Sequence, residues 1–96
     1  MAKTKFQIKN RYTDEIIVEM EAETLKEVVE KNKVILRGAD LWGANLWGAN
    51  FWEADLQEVN LRGANFRGTD LWGAKIKITQ KEDLIKSLGI IVENEK

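Results

Sequence analysis

From Val34 to Ile78 a large apolar residue recurs every fifth position: Leu36, Leu41, Leu46, Phe51, Leu56, Leu61, Phe66, Leu71 and Ile76. A second series lies two residues before each, at Val34, Ala39, Ala44, Ala49, Ala54, Val59, Ala64, Thr69 and Ala74. Apolar positions are therefore separated alternately by two and three residues. A step of two stays on one face of an extended chain, whereas a step of three changes face unless the backbone turns in between. The pattern predicts nine units, each a very short strand followed by a corner. Six of the first eight units end in Gly (Gly38, Gly43, Gly48, Gly63, Gly68, Gly73), which suits the positive φ of a type II turn. Glu53 and Glu58 end the other two, where type I corners are expected. Repetition of one strand and one corner winds a solenoid, because each unit buries its face only against its neighbours.

The flanks follow other periods. Phe6 and Ile8 alternate with Lys5, Gln7 and Lys9, and Ile16, Val18 and Met20 alternate with Glu15, Ile17, Glu19 and Glu21, on either side of the polar stretch Asn10–Asp14. This predicts a β-hairpin in which Ile8 faces Ile16 and Phe6 faces Val18. The same register sets Lys9 against Glu15, Lys5 against Glu19 and Lys3 against Glu21, so the charged strands have a structural explanation. Thr24 and Glu27 form a capping box for a short helix with Leu25, Val28 and Val29 on one face and Asn32 at its stop. After the repeats, Thr79 and Glu82 predict a second capping box, with Leu84, Ile85 and Leu88 sharing a face and Gly89 as the left-handed stop. Both ends are expected to cover the exposed edges of the coil. Ile90, Ile91 and Val92 lie beyond the second stop, either folded back on the last coil or packed against the same segment of another chain.

The repeated motif resembles the pentapeptide-repeat family, as in Ala39-Asp40-Leu41-Trp42-Gly43, Ala44-Asn45-Leu46-Trp47-Gly48 and Ala64-Asn65-Phe66-Arg67-Gly68. The resemblance covers about half the chain. It implies a mainly β fold: a right-handed quadrilateral β-helix with four units per coil, here about two coils. One domain is expected, with residues 1–32 as an N-terminal hairpin-helix cap, 33–78 as the solenoid and 79–96 as a C-terminal helix and tail. Ile35 and Lys75 depart from the Asp/Asn slot, and Val59 and Thr69 from the small-residue slot. The family's tendency to pair through an apolar C-terminal tip tilts the reading of Ile90, Ile91 and Val92 toward a homodimer contact.

With four units per coil, residue n sits beneath n+20. The Asp/Asn slot then stacks Asp40 on Asn60, Asn45 on Asn65, Asn50 on Asp70 and Asp55 on Lys75, so no carboxylate meets another. The family includes DNA mimics that bind DNA gyrase, which requires a long rod with a dense acidic surface. These alternating stacks argue against that role. The first corner slot places Trp42 under Arg62, Trp47 under Arg67, and Trp52 under Trp72, and it holds all four Trp of the chain. Outward indoles near Arg have the composition of interface hot spots. Trp47, Trp52, Arg67 and Trp72 are thus a candidate surface for an unidentified protein partner. The structural alternative has each indole lying along the adjacent coil with cation–π contact from Arg62 or Arg67. Stacking of single-stranded nucleic acid on the indoles lacks a basic groove to support it.

Composition narrows the chemistry. Fifteen basic and sixteen acidic residues leave a net charge of −1, so no global field draws the chain to nucleic acid or an anionic membrane. The absence of Cys fits a reducing cytosol, and with no His the commonest general base and metal ligand are missing. The aliphatic runs are too short to span a bilayer, and Met1–Lys5 leads into no signal-peptide core. Ser87 is the only Ser and, beside Lys86, reads as a solvated helix end. The glycines match no phosphate-binding fingerprint, and Glu53 and Asp55 on a convex rod have no cleft around them. The reading is a cytoplasmic, non-enzymatic scaffold with no cofactor and no metal.

Overall fold

The computed structural model describes residues 2–94. Met1 and residues 95–96, the outer limits of the predicted first and third segments, lie outside the described residues. Strands β1 (Thr4–Lys9) and β2 (Ile16–Ala22) form an antiparallel hairpin. Two short α-helices follow, α1 (Leu25–Lys31) and α2 (Lys81–Ser87). Between them run a 3₁₀ turn at Lys33–Ile35, the repeats, and a second 3₁₀ turn at Ile78–Gln80.

The repeats wind with a period of twenty residues, a β-helix type of arrangement. Parallel bridges join Asp40 to Asn60, Asn45 to Asn65, Asn50 to Asp70 and Asp55 to Lys75. Around each bridge the backbone bonds follow one rule. Leu41 and Gly43 donate to the Asn60 and Arg62 carbonyls, while Asn60 donates back to the Ala39 carbonyl at 2.9 Å. The rule recurs at Leu46 and Gly48, and at Phe51 and Glu53. Each predicted short strand reduces to a single bridging residue, because the corner consumes the rest of the five. Leu36, Leu41, Leu46, Phe51, Leu56, Leu61 and Phe66 are buried inside, and the Phe51 and Phe66 rings stack at 4.8 Å. Val34 is not an inward position; it is 73% exposed within the first 3₁₀ turn, so the interior series starts at Leu36.

The corners at Glu53 and Glu58 also differ from expectation. Both residues take positive φ, +57° and +63°, the conformation that Gly43 adopts at +67°. A type I corner would keep φ negative. Stacking decides instead: Glu53 N–H donates to the Trp72 carbonyl just as Gly43 N–H does to Arg62, and at the Glu58 corner the preceding Gln57 carbonyl accepts from Gly38 N–H of the coil below.

The hairpin register corrects the predicted pairing. Ile8 faces Val18 and Phe6 faces Met20, with Lys5 opposite Glu21 and Gln7 opposite Glu19. Asn10 closes the turn, its Oδ1 accepting from Tyr12 and Thr13 N–H, and this pairs Lys9 with Ile16. Continued from there, the register would set Phe6 against Glu19. A bulge at Ile17 shifts it by one and returns apolar residues to a shared face. Lys5 still reaches Glu19 diagonally at 3.3 Å. The Gln7 amide and then Lys5 hold the Glu19 carboxyl below the usual range.

The hairpin turn docks on the first coil. Arg11 N–H donates to the Gly38 carbonyl, Asp40 N–H donates to the Lys9 carbonyl, and Asn10 bridges Ala39. Helix α1 starts at Thr24, whose hydroxyl accepts from Glu27 N–H at 3.2 Å, while the Glu27 carboxylate accepts from Glu23 N–H. Its buried Val28 and Val29 face the coil. The Glu30 carboxylate accepts from Asn50 N–H at 2.8 Å, and the Lys33 carbonyl accepts from Asp55 N–H. Thus the lower edge is covered at three of its four faces by different means.

Candidate functional site

Each corner begins with an Asx contact. The Oδ1 of Asp40, Asn45, Asn50 and Asp70 accepts from the N–H of Trp42, Trp47, Trp52 and Trp72, at 2.8–3.3 Å. Asp55, Asn60 and Asn65 treat Gln57, Arg62 and Arg67 in the same way. Between coils, the Asn60 amide donates to Asp40 Oδ1 and the Asn65 amide to Asn45 Oδ1, both at 3.2 Å. The acidic slot is therefore absorbed by backbone and amide partners, as its alternation predicted.

That contact fixes where the indoles go. With the residue before it turned inward, buried at Leu41, Leu46 and Phe51 and partly buried at Leu71, and its own N–H turned back toward Asp or Asn, each Trp side chain leaves the corner outward. Trp42, Trp47 and Trp72 are 68%, 64% and 65% exposed, and Trp52 is 46% exposed. Trp52 is the most covered because Trp72 stacks on it, with ring centroids 5.1 Å apart and planes 23° from parallel. Arg67 does not join the aromatic residues. Its side chain lies against Gly89, where an added Cβ would sit 2.9 Å from Nε. Trp47 lies beneath Gly68 instead, within 3.9 Å of a Cβ placed there. The expected cation–π contacts from Arg62 and Arg67 are not formed; among the described residues the cation–π contact is Arg11 over Tyr12 at 5.0 Å. Arg62 is drawn to Asp83 on α2, 4.0 Å away.

The upper end holds residues whose roles the sequence pattern missed. The second capping box is absent: α2 starts at Lys81, and Thr79 lies in the preceding 3₁₀ turn. Gln80 takes over. Its buried amide donates to the Leu56 and Val59 carbonyls at 2.7 and 3.0 Å, and its Oε1 accepts from Lys77 N–H at 2.7 Å. Ser87 is buried rather than solvated; its hydroxyl donates to the Leu84 carbonyl and its own carbonyl accepts from Phe66 N–H at 2.8 Å. Gly89 ends the helix as predicted, with φ +77°, its N–H reaching Lys86 and Ile90 N–H reaching Ile85. Ile90 and Val92 then line a cleft beside Ile85, yet Ile90, Ile91 and Val92 remain 53%, 81% and 74% exposed. A polar side chain three residues after an outward Lys was the one available signal for Gln80, and it is a weak one.

Among the described residues no group of three or more Asp or Glu is placed to hold a metal ion, and no helix is long and apolar enough to cross a membrane. Residues 35–73 match the protein family described as pentapeptide repeats, in eight copies. Neither a curated protein nor a solved structure matches the chain.

Proposed function

We propose that this pentapeptide-repeat protein is a non-enzymatic cytoplasmic scaffold that binds another protein through its Trp corners. The observation that carries the reading is the stacked Trp52–Trp72 pair, which leaves both rings substantially in water. Exposed aromatic residues on a rigid frame lose little entropy on binding, which suits them to anchor an interface. The frame is read as a right-handed quadrilateral β-helix of about two coils, with Trp47 on the neighbouring corner extending the same surface; Arg67, turned toward Gly89, drops out of it.

A second contact is favoured by the exposed Ile90, Ile91 and Val92, which serve here as a homodimer interface at the tip of the rod. DNA mimicry toward gyrase is disfavoured, because in every stack that holds an acid its neighbour is an amide or a base.

The test places a photo-crosslinking residue at position 47 in cells. One discrete protein adduct, lost in the W52Q/W72Q variant while cooperative melting is retained, is the expected result. If no adduct forms and the substitutions lower only the melting temperature, the corners are structural. Loss of gyrase supercoiling on adding the purified protein at low concentration would favour mimicry instead.

A further inference from the structure

The upper rim of the second coil is only partly closed. By the bonding rule of the coil below, the groups that point upward here are the N–H of Leu61, Gly63, Phe66, Gly68, Leu71 and Gly73 and the carbonyls of Val59, Ala64 and Thr69. The C-terminal cap reaches this rim at two points, the Gln80 amide of the 3₁₀ turn before α2 on Val59 and the Ser87 carbonyl at the end of α2 on Phe66. Between those anchors, Leu61 N–H, Gly63 N–H and the Ala64 carbonyl have no hydrogen-bond partner among the described residues. Their equivalents one coil lower, Leu41, Gly43 and Ala44, are all paired.

A groove of about 760 Å³ lies over this gap, between the rim and the Thr79 and Asp83 side of α2. It continues past Asn65 toward Arg67 at one end and past Gln80 toward Lys77 and Arg11 at the other. Within it Lys86 is paired with Glu82 at 3.3 Å, and Arg62 is loosely paired with Asp83. Among the described residues Arg67, Lys77 and Arg11 make no ion pair, and neither does Glu58 beside Arg11, so three unpaired cations against one unpaired carboxylate leave the groove positive in a chain whose net charge is −1.

We propose that this groove takes an extended acidic peptide, added as a strand to the open rim between the two anchor points of the C-terminal cap. The floor presents the Leu61 and Gly63 N–H groups two residues apart, the spacing an added strand uses, with the Ala64 carbonyl just past the corner at Gly63. The cations at its ends favour carboxylates there. A polyphosphate backbone is disfavoured, because Glu82 and Asp83 stand in the middle wall, where a peptide can place a neutral residue. This surface is separate from the Trp52–Trp72 corner, so either reading can fail without the other.

The test uses a short fluorescein-labelled peptide of alternating Glu and Thr, with Lys/Thr and single-stranded oligothymidylate controls. Binding by the acidic peptide is expected, together with slowed amide exchange at Leu61 and Gly63, and weakening of about tenfold or more in R62E/K86E. The W52Q/W72Q variant should bind the peptide unchanged. A circular-dichroism melt confirms that R62E/K86E is folded, and the exchange measurement on the parent chain stands independently of it. No binding, binding with Gly63 exchange unaltered, or preference for the oligonucleotide overturns the proposal.

Discussion

At the scale of single residues, the corners set the conformational cost of the fold. Glu53 and Glu58 hold the left-handed conformation at corners bonded to the neighbouring coil, Glu53 through its own N–H and Glu58 through the preceding Gln57 carbonyl, and a side chain there costs roughly 1–2 kcal/mol relative to Gly. Gly loses more entropy on folding, which returns about 0.5–1 kcal/mol of that difference. E53G and E58G are each expected to stabilise by about 0.5–1 kcal/mol, read as a rise of a few degrees in melting temperature. An unchanged or lower melting temperature would mean that the Glu side chains contribute packing that offsets the strain. The opposite exchange is disfavoured at Gly73, where an added Cβ would stand 3.0 Å from Glu53 Cγ at φ +72° and the Glu53 side chain would have to shift. Six corners were recognisable because Gly marks them. The geometry of the other two was hidden, because it follows from bonds to the neighbouring coil rather than from any local preference of Glu.

At the scale of elements, the two caps work differently. The lower cap was largely legible: strand alternation, a Thr24 cap and Asn10 as a turn residue all have local signatures. Its register was not legible, because the choice between neighbouring pairings depends on the Ile17 bulge and on which face meets the coil. The upper cap hangs on Gln80, a residue with no local pattern to announce its role. Q80L is expected to cost about 2–4 kcal/mol, because it leaves the Val59 carbonyl and Lys77 N–H unpaired and strips the Leu56 carbonyl of one of its two donors, Val59 N–H remaining. Urea melts of Q80L and an exposed control such as K81L separate this from a general effect of adding apolar surface. Equal midpoints for the two would refute the plug role.

At the scale of the whole molecule, burial fades from one end to the other. Ala49, Phe51 and Ala54 are fully buried, whereas Thr69, Leu71 and Ala74, one coil above, are only partly covered. The exposed Ile90, Ile91 and Val92 lie at this same, less protected end. Light scattering is expected to give a dimer mass for the intact chain and a monomer mass for I91E/V92E. A monomer in both cases would leave the tail as a surface of this chain alone. By itself the sequence determined the five-residue period, the central apolar residues that fill the interior, the outward indoles and the presence of a cap at each end. All of these follow from spacing and side-chain chemistry that act over a few residues. That Val34 stays outside was decided by the structure. Only the tertiary structure decided the shape of the Glu corners, the hairpin register, the turning of Arg67 away from Trp47 and the gap in the upper rim. Each of those depends on which backbone groups meet across twenty or more residues, and local pattern carries no record of that pairing.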